Sequence, residues 1–404
     1  MATRQGPAGA SEALLRLIDQ VWQPGEAVRV TAGETPQGYR VAERYSIVPN
    51  AARARFLVPL ATRAAAHASL SRYNGLRPGA LGLARALLGA AFRVGLAPIA
   101  LRDELTVCLA EDADPADHLI VAHLGRVLGR PGLAAGIGVR PVDPNGKPTL
   151  QLFQPDGTPA GYAKIGWNAA TRRLVAMEAE ALTAVRGVTA PRLLYGGSRR
   201  DRQITVTEPL PPRIRAHRNP DEPPGPDVLA AIAAGSGVRE TELAASPYWQ
   251  AVRREISEID DEPRLRRALA TLAVRLEGEY GGTRLRFGRW HGDLVPWNLG
   301  RHDGTLHIWD WEHSATGVPI GFDLLHWHFQ VALVLRRRPL AEAVAAVHDT
   351  ARTSRVDAPP GLLAQAYLLE IFLRTHRLQR GGGGWNTDLY PAMFDVLPKG
   401  DDGV

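Results

Sequence analysis

Hydrophobic and polar positions alternate along this chain in three different ways. The opening stretch, "MATRQGPAGASEALLRLIDQVW", reads as a short loop followed by an amphipathic helix. Beyond it, "RVAERYSIVP" and "ARARFLVPL" flank Pro49-Asn50 and predict a pair of strands, while "ELTVCLA" predicts another. "ATRAAAHASLSRY" and "ALGLARALLGAAFRVGLA" carry helical patterns. "PADHLIVAHLGRVLG" predicts one amphipathic helix with proline near its start.

From about residue 131 the period shortens. "LAAGIGVRPV", "PTLQLFQP" and "AGYAKIGW" are short strand-like runs separated by the turns "DPNGK" and "DGTP". The helix "ATRRLVAMEAEALTAVRG" follows, and then two further apolar runs, "PRLLYGG" and "QITVTEPL". This order predicts a small sheet with one helix packed on it. Residues 209–227 are rich in proline and polar groups and read as a loop or interlobe segment. The remainder, to about residue 398, reads as mainly helical except where it opens, and "RGGGGW" near its end reads as a mobile turn. The division that results is 1–128 as an N-terminal cap or accessory region, 129–210 as a sheet-bearing lobe, and 211–404 as a helical lobe.

Composition narrows the class. With 404 residues, 45% hydrophobic and 22% charged, the chain can bury more than one core. No apolar run is long enough for a membrane span, so no membrane partner is expected. The start lacks the features of a signal peptide, and Cys108 is the single cysteine, which together predict a cytoplasmic location. Of 48 basic residues only Lys147, Lys164 and Lys399 are lysines. The net charge of +6 raises nucleic acid as a partner, but the arginines are interspersed with acids and no nucleic-acid motif is present, which argues against it. The oligomeric state is left open.

The chemistry gathers in "RWHGDLVPWNLGRHDGTLHIWDWE", Arg289 to Glu312. Asp303-Gly304 is a two-residue hairpin signal. With that turn, His302 faces Thr305, Asn298 faces Trp309, and Asn298 and Asp310 lie diagonally at the open end of one hairpin. Asp293 stands five residues before Asn298. Two carboxylates and an amide oxygen are hard ligands suited to magnesium (Mg2+). The spacing His291-Gly-Asp293-x-x-x-x-Asn298 matches a kinase catalytic loop.

A second constellation lies upstream. Lys164 falls inside the strand-like run "GYAKIGW". On the next helix Leu174, Ala181, Leu182 and Val185 form an apolar stripe, with Glu178 in its middle and Glu180 on the opposite face. A glutamate on a packing face needs a cation, and Lys164 is the natural one.

"HGDLVPWN", "IWDWE" and "GVPIGFDLL" together resemble the aminoglycoside phosphotransferase and choline kinase-like family, over about residues 131–398. The resemblance implies an α+β, protein-kinase-like bilobal fold, with a small antiparallel-sheet N-lobe and a mainly helical C-lobe. The N-terminal α/β region is extra. It implies Asp293 as catalytic base, His291 bracing its loop, Asn298 and Asp310 holding Mg2+, and Lys164, fixed by Glu178, on the phosphates of ATP. It also implies a hinge at Val206, Thr207, Glu208, Pro209 and Leu210, whose backbone holds adenine, and Asp323 as support for the catalytic loop. "RPVDPNGKP", with its single central glycine Gly146, departs from a G-x-G-x-x-G phosphate loop.

The expected reaction is transfer of the ATP γ-phosphoryl group to a hydroxyl of a small molecule: a sugar, aminoglycoside, polyol or amino alcohol. "EISEIDDEP" offers acids for a polycationic acceptor, but reads better as a solvated helix face and loop. The alternatives are a peptide- or protein-directed kinase of the same fold, a metal-dependent hydrolase using His291, Asp293 and Asp310, and a nucleotide-binding module without turnover. His326 and His328, two apart, suit core or supporting positions better than zinc.

Overall fold

A computed structural model describes residues 7, 9–77, 79–96, 101–381 and 389–397. The expected turn at "RGGGGW" lies, from Gly382 onward, outside them. The chain divides into two compact units: residues 1–179 with 191–216, and residues 180–190 with 217–404.

The first unit is built on one nine-stranded antiparallel sheet. Its strands are β1 (Val28–Thr31), β2 (Tyr39–Val48), β3 (Phe56–Pro59), β4 (Glu104–Ala110), β5 (Ala134–Gly138), β6 (Thr149–Phe153), β7 (Pro159–Gly166), β8 (Leu193–Arg199) and β9 (Arg202–Thr207). They lie in the order β1-β4-β2-β3-β5-β6-β7-β9-β8. Helices α1 (Glu12–Val21), α2 (Arg63–Ser71), α3 (Gly79–Val94), α4 (Pro115–His118), α5 (Ile120–Val127) and, as far as Ala179, α6 (Ala169–Ala184) accompany it, and a two-residue strand β10 (Arg215–Ala216) ends the unit.

The expected strands and helices of residues 1–210 are present, with one difference. The single helix expected over "PADHLIVAHLGRVLG" is broken into α4 and α5 at Leu119, whose backbone is extended (φ −114°, ψ 131°) and whose side chain is buried in the sheet core. Tertiary burial there outweighs local helix propensity.

The structure also divides the chain differently from the sequence reading. No boundary falls near residue 128. Strand β3 pairs with β5 through Phe56–Gly138 and Leu57–Ile137, so the N-terminal strands and the predicted small sheet are one sheet. They share one core, in which Leu14, Ile18 and Ile47 are buried with Ala135, Ile165 and Val206.

The second unit is mainly helical, with α7 (Pro226–Ala234), α8 (Pro247–Ser257), α9 (Pro263–Tyr280), α10 (Phe322–Gln330), α11 (Leu340–Thr353), α12 (Pro360–Arg380) and α13 (Leu389–Val396). It also contains strands that the pattern did not announce. β11 (Arg239–Glu242), β12 (Arg284–Trp290) and β15 (Ala315–Pro319) form a small antiparallel sheet. The expected hairpin is β13 (Leu299–His302) and β14 (Thr305–Ile308), in the register read from the sequence, His302 opposite Thr305 and Leu299 opposite Ile308. Asp303 and Gly304 both take positive φ, 46° and 80°, as a primed two-residue turn requires. The core joins Trp249, Leu269, Phe322, Tyr367 and Phe372.

Candidate active site

In the first unit Lys164 and Glu178 meet as the sequence reading expected. Lys164 faces Thr149 and Thr205 across the ladders of β6 and β7 and of β7 and β9. Glu178 stands on α6 between buried Leu174 and Leu182, with Glu180 exposed. The Lys164 ammonium donates to Glu178 Oε1 at 2.8 Å. The glutamate is buried and the lysine half-buried, so desolvation makes each depend on the other.

The start of α6 is fixed locally. Asn168 Oδ1 accepts from the Thr171 N–H (2.8 Å), and the Thr171 hydroxyl accepts from the N–H groups of Trp167 and Asn168. The same segment anchors the 143–146 turn: Trp167 Nε1 donates to the Gly146 carbonyl and Asn168 Nδ2 to that of Pro144.

In the five-residue hinge segment, Val206 and Thr207 belong to β9. The Glu208 N–H donates to the Arg192 carbonyl at 2.9 Å, and Pro209 has no N–H. The remaining N–H of the segment is that of Leu210.

In the second unit β12 delivers the chain into the loop that carries His291 and Asp293. Gly292 has φ 81°, and a side chain there would collide with the His313 carbonyl oxygen, so only glycine fits. The loop is clamped from below by Asp323, near the start of α10: one carboxylate oxygen accepts the His291 N–H (2.8 Å) and the other the Gly292 N–H (3.1 Å). From α12, buried Arg374 donates to the Gly292 carbonyl at 2.6 Å and stacks over Trp290. Burial pushes the Asp323 carboxyl up to about 6, against the two N–H groups that favour its charged form.

His291 is fully buried and packs on Trp311 with ring centroids 4.4 Å apart. Its Nε2 lies 3.1 Å from the Trp309 carbonyl, and its Nδ1 accepts the Asp293 N–H at 3.2 Å. That pattern demands a neutral ring with the proton on Nε2, and burial lowers its pKa to about 4.

Asp293 is held at both oxygens. Asn298 Nδ2 donates to Oδ2 at 2.9 Å and also to the Asp293 carbonyl at 3.0 Å, and His326 Nε2 lies 3.2 Å from Oδ1. His326 Nδ1 in turn lies 2.9 Å from the Tyr367 hydroxyl. A neutral His326 that donates from Nε2 and accepts from Tyr367 satisfies the whole chain, and burial lowers the pKa of His326 in agreement. Burial alone would raise the pKa of Asp293. The His326 hydrogen bond works against it, and the carboxyl is held below its usual range.

Asn298 ends a short 3-10 turn, and its backbone carbonyl accepts the Trp309 N–H at 3.1 Å, the opposition the hairpin register predicted. Asp310 follows in the left-handed region, with φ 72°. Its carboxylate lies within 4.8 Å of that of buried Glu312.

The structure thus brings His291, Asp293, Asn298 and Asp323 into one bonded network and pairs Lys164 with Glu178. Three residues of the network were not singled out for it from sequence: His326, read only as core or supporting, Tyr367 and Arg374. A signal existed for each. His326 is three residues after Asp323 and so shares its helix face, and Tyr367 and Arg374 are two turns apart on a stretch of helix in which Glu370 is the only other polar residue. Three of the five acids of "EISEIDDEP" pair with α12: Glu255 with Arg377 (2.9 Å), Asp261 with His376 (3.0 Å) and Asp260 with Arg380 (3.4 Å).

No protein-family model matches the chain, and no curated protein matches it by sequence. Solved structures resemble it at low identity. Choline kinase LicA from Streptococcus pneumoniae is 15% identical, with 62% of this chain and 86% of that one covered, at a TM-score of 0.38. A thermostable mutant of aminoglycoside phosphotransferase APH(4)-Ia, in ternary complex with AMP-PNP and hygromycin B, is 14% identical over 68% of this chain and 95% of that one, at 0.46. Macrolide 2'-phosphotransferase MphH from Brachybacterium faecium is 16% identical over 69% and 98%, at 0.38.

Proposed function

We propose that the chain is an ATP-dependent O-phosphotransferase that moves the γ-phosphoryl group to a hydroxyl of a small molecule. The observation that carries this reading is Asp293. It is a carboxylate kept ionised and aimed by Asn298 and His326, on a loop held rigid by Asp323 and Arg374. Such a carboxylate orients the acceptor hydroxyl and accepts its proton. The acceptor oxygen forms its bond to the γ-phosphorus while the bond to the β,γ-bridging oxygen breaks. The proton passes to Asp293, and ADP leaves.

Asn298 and Asp310 would hold Mg2+. The fit is in the donors: the Asn298 amide nitrogen is committed to Asp293, which leaves its oxygen for a cation, and Asp310 adds a carboxylate with Glu312 close by. The ion would supply charge neutralisation on the phosphates. Lys164, fixed by Glu178, would bind the same phosphates, and the Leu210 N–H with neighbouring carbonyl oxygens would meet adenine. Asp323 and His291 position the loop.

The test is an ATP-consumption screen over sugars, polyols, amino alcohols, aminoglycosides and peptides, with Asp293→Asn as control. The reading expects acceptor-dependent ADP release with a small hydroxyl compound, lost in the variant while nucleotide still binds. ATP-independent hydrolysis, or turnover only with peptides, would refute it.

A further inference from the structure

Helix α3 has two apolar faces: Phe92, with Leu88 and Ala91 half-buried beside it, packs against Phe56, Val58, Ala66 and Leu70, and a second face points outward. The buried positions of the helix include Gly82 and Gly89, and Gly89 lies so close to α2 that a Cβ would approach the His67 carbonyl at 3.2 Å. On the outward face Leu83 is 64% exposed, Leu87 65% and Val94 62%, at helical spacings that put all three on one stripe. Leu96, just beyond the helix, is 59% exposed. A soluble protein seldom leaves such a contiguous stripe uncovered unless something binds it.

The segment that carries the stripe has charge of one sign. Between Thr62 and Leu96 the chain has five arginines and no aspartate or glutamate. Beside α3 opens a cavity of about 690 Å³, lined by Arg63, His67, Arg72, Arg93 and Arg213, with Asp156 the single acid on its wall among the described residues. Asp156 is turned to the Thr158 N–H. Among the described residues none of these four guanidiniums is paired with a carboxylate. Leucines on one face with unpaired arginines beside them are what an interfacial helix presents to acyl chains and anionic headgroups. A second copy of the chain fits poorly, because stripe-to-stripe packing would bring arginines against arginines with no acid between. No described helix is long and apolar enough to cross a membrane, so the contact would be with the surface.

We propose that the α2–α3 face docks this protein on an anionic phospholipid surface, with Leu83, Leu87 and Val94 entering the headgroup boundary and Arg63, Arg72, Arg93 and Arg213 meeting lipid phosphates. This departs from the sequence reading, which weighed membrane spans alone. It does not rest on the proposed phosphotransferase activity.

The experiment is flotation of the full chain with vesicles of phosphatidylcholine alone or mixed with phosphatidylglycerol. The wild type should float with the mixed vesicles and not with the neutral ones, and less as salt rises. Leu83→Glu with Leu87→Glu should lower partitioning at least about tenfold. Arg72→Gln and Arg213→Gln should each lower it about fivefold. All of these positions are exposed, so an unchanged melting temperature separates lost docking from lost folding. Absence of binding, or equal binding to both vesicle types, overturns the proposal. So does a wild-type dimer that Leu83→Glu dissolves, or binding of inorganic phosphate through the same arginines without vesicle binding.

Discussion

Asp293 meets an amide hydrogen on one oxygen and an imidazole hydrogen on the other, so its rotamer is settled before any substrate arrives. The imidazole is the more informative partner. His326 acts through Asp293, which it positions, and is itself positioned by Tyr367. His326→Ala should lower kcat roughly 10- to 100-fold while the KM for ATP changes little, because the loss is one of aim. Steady-state kinetics at saturating nucleotide decide it, and an unchanged kcat would remove His326 from the account. Asp323 makes a pH prediction. Its folded pKa, about 6, lies above the ordinary 3.8, so the folded chain holds this proton more tightly than the unfolded one. The stabilising contribution is complete below about pH 4 and lost as pH rises through about 6, a change on the order of 3 kcal/mol. Urea unfolding of wild type and Asp323→Asn should therefore show a stability difference that shifts in favour of wild type by roughly that amount on going from about pH 7 to about pH 4. A pH-independent difference would contradict the burial argument.

At the scale of elements, β7 and α6 are tied by one ion pair. Lys164→Met leaves the buried Glu178 carboxylate without its cation and should cost about 1–3 kcal/mol of stability as well as nucleotide affinity. Lys164→Met combined with Glu178→Leu should recover most of the stability and none of the affinity. Thermal unfolding and nucleotide titration of the two variants separate the effects; recovery of both would mean the pair is only structural. This pair was legible in the sequence because a glutamate interrupted an apolar stripe and a lysine stood in the strand just before. The hairpin was legible because Asp-Gly tolerates two successive positive φ values and so sets the register of everything before and after it. The small sheet of β11, β12 and β15 was not. β11 is Arg-Glu-Thr-Glu, with no apolar residue to mark it, and becomes a strand only through its pairing with β12. The clamp by Asp323 and Arg374 was half legible: the helix face shared by Asp323 and His326 could be counted, but the return of α12 to Gly292 is a long-range packing event with no local period.

For the whole molecule, the largest difference between sequence and structure is the boundary near residue 128. Two residue pairs between β3 and β5, distant in sequence, join the N-terminal strands to the Lys164 sheet, and a signal that small is invisible to local patterning. The consequence is that residues 1–128 are not dispensable. A chain beginning at residue 129 would expose the β5 edge and strip Leu14, Ile18 and Ile47 from the core around Ile137 and Val206. It should be insoluble or lack native far-UV circular dichroism; a soluble, cooperatively folding fragment would show the region to be an add-on. The central claim concerns the whole chain and one reaction. Phosphorus NMR of the protein with ATP, Mg2+ and the acceptor found by screening tests it most directly. The account predicts a new phosphomonoester resonance rising in step with ADP, and its absence with Asp293→Asn. Inorganic phosphate as the sole product, or an undiminished ester signal from Asp293→Asn, would contradict it.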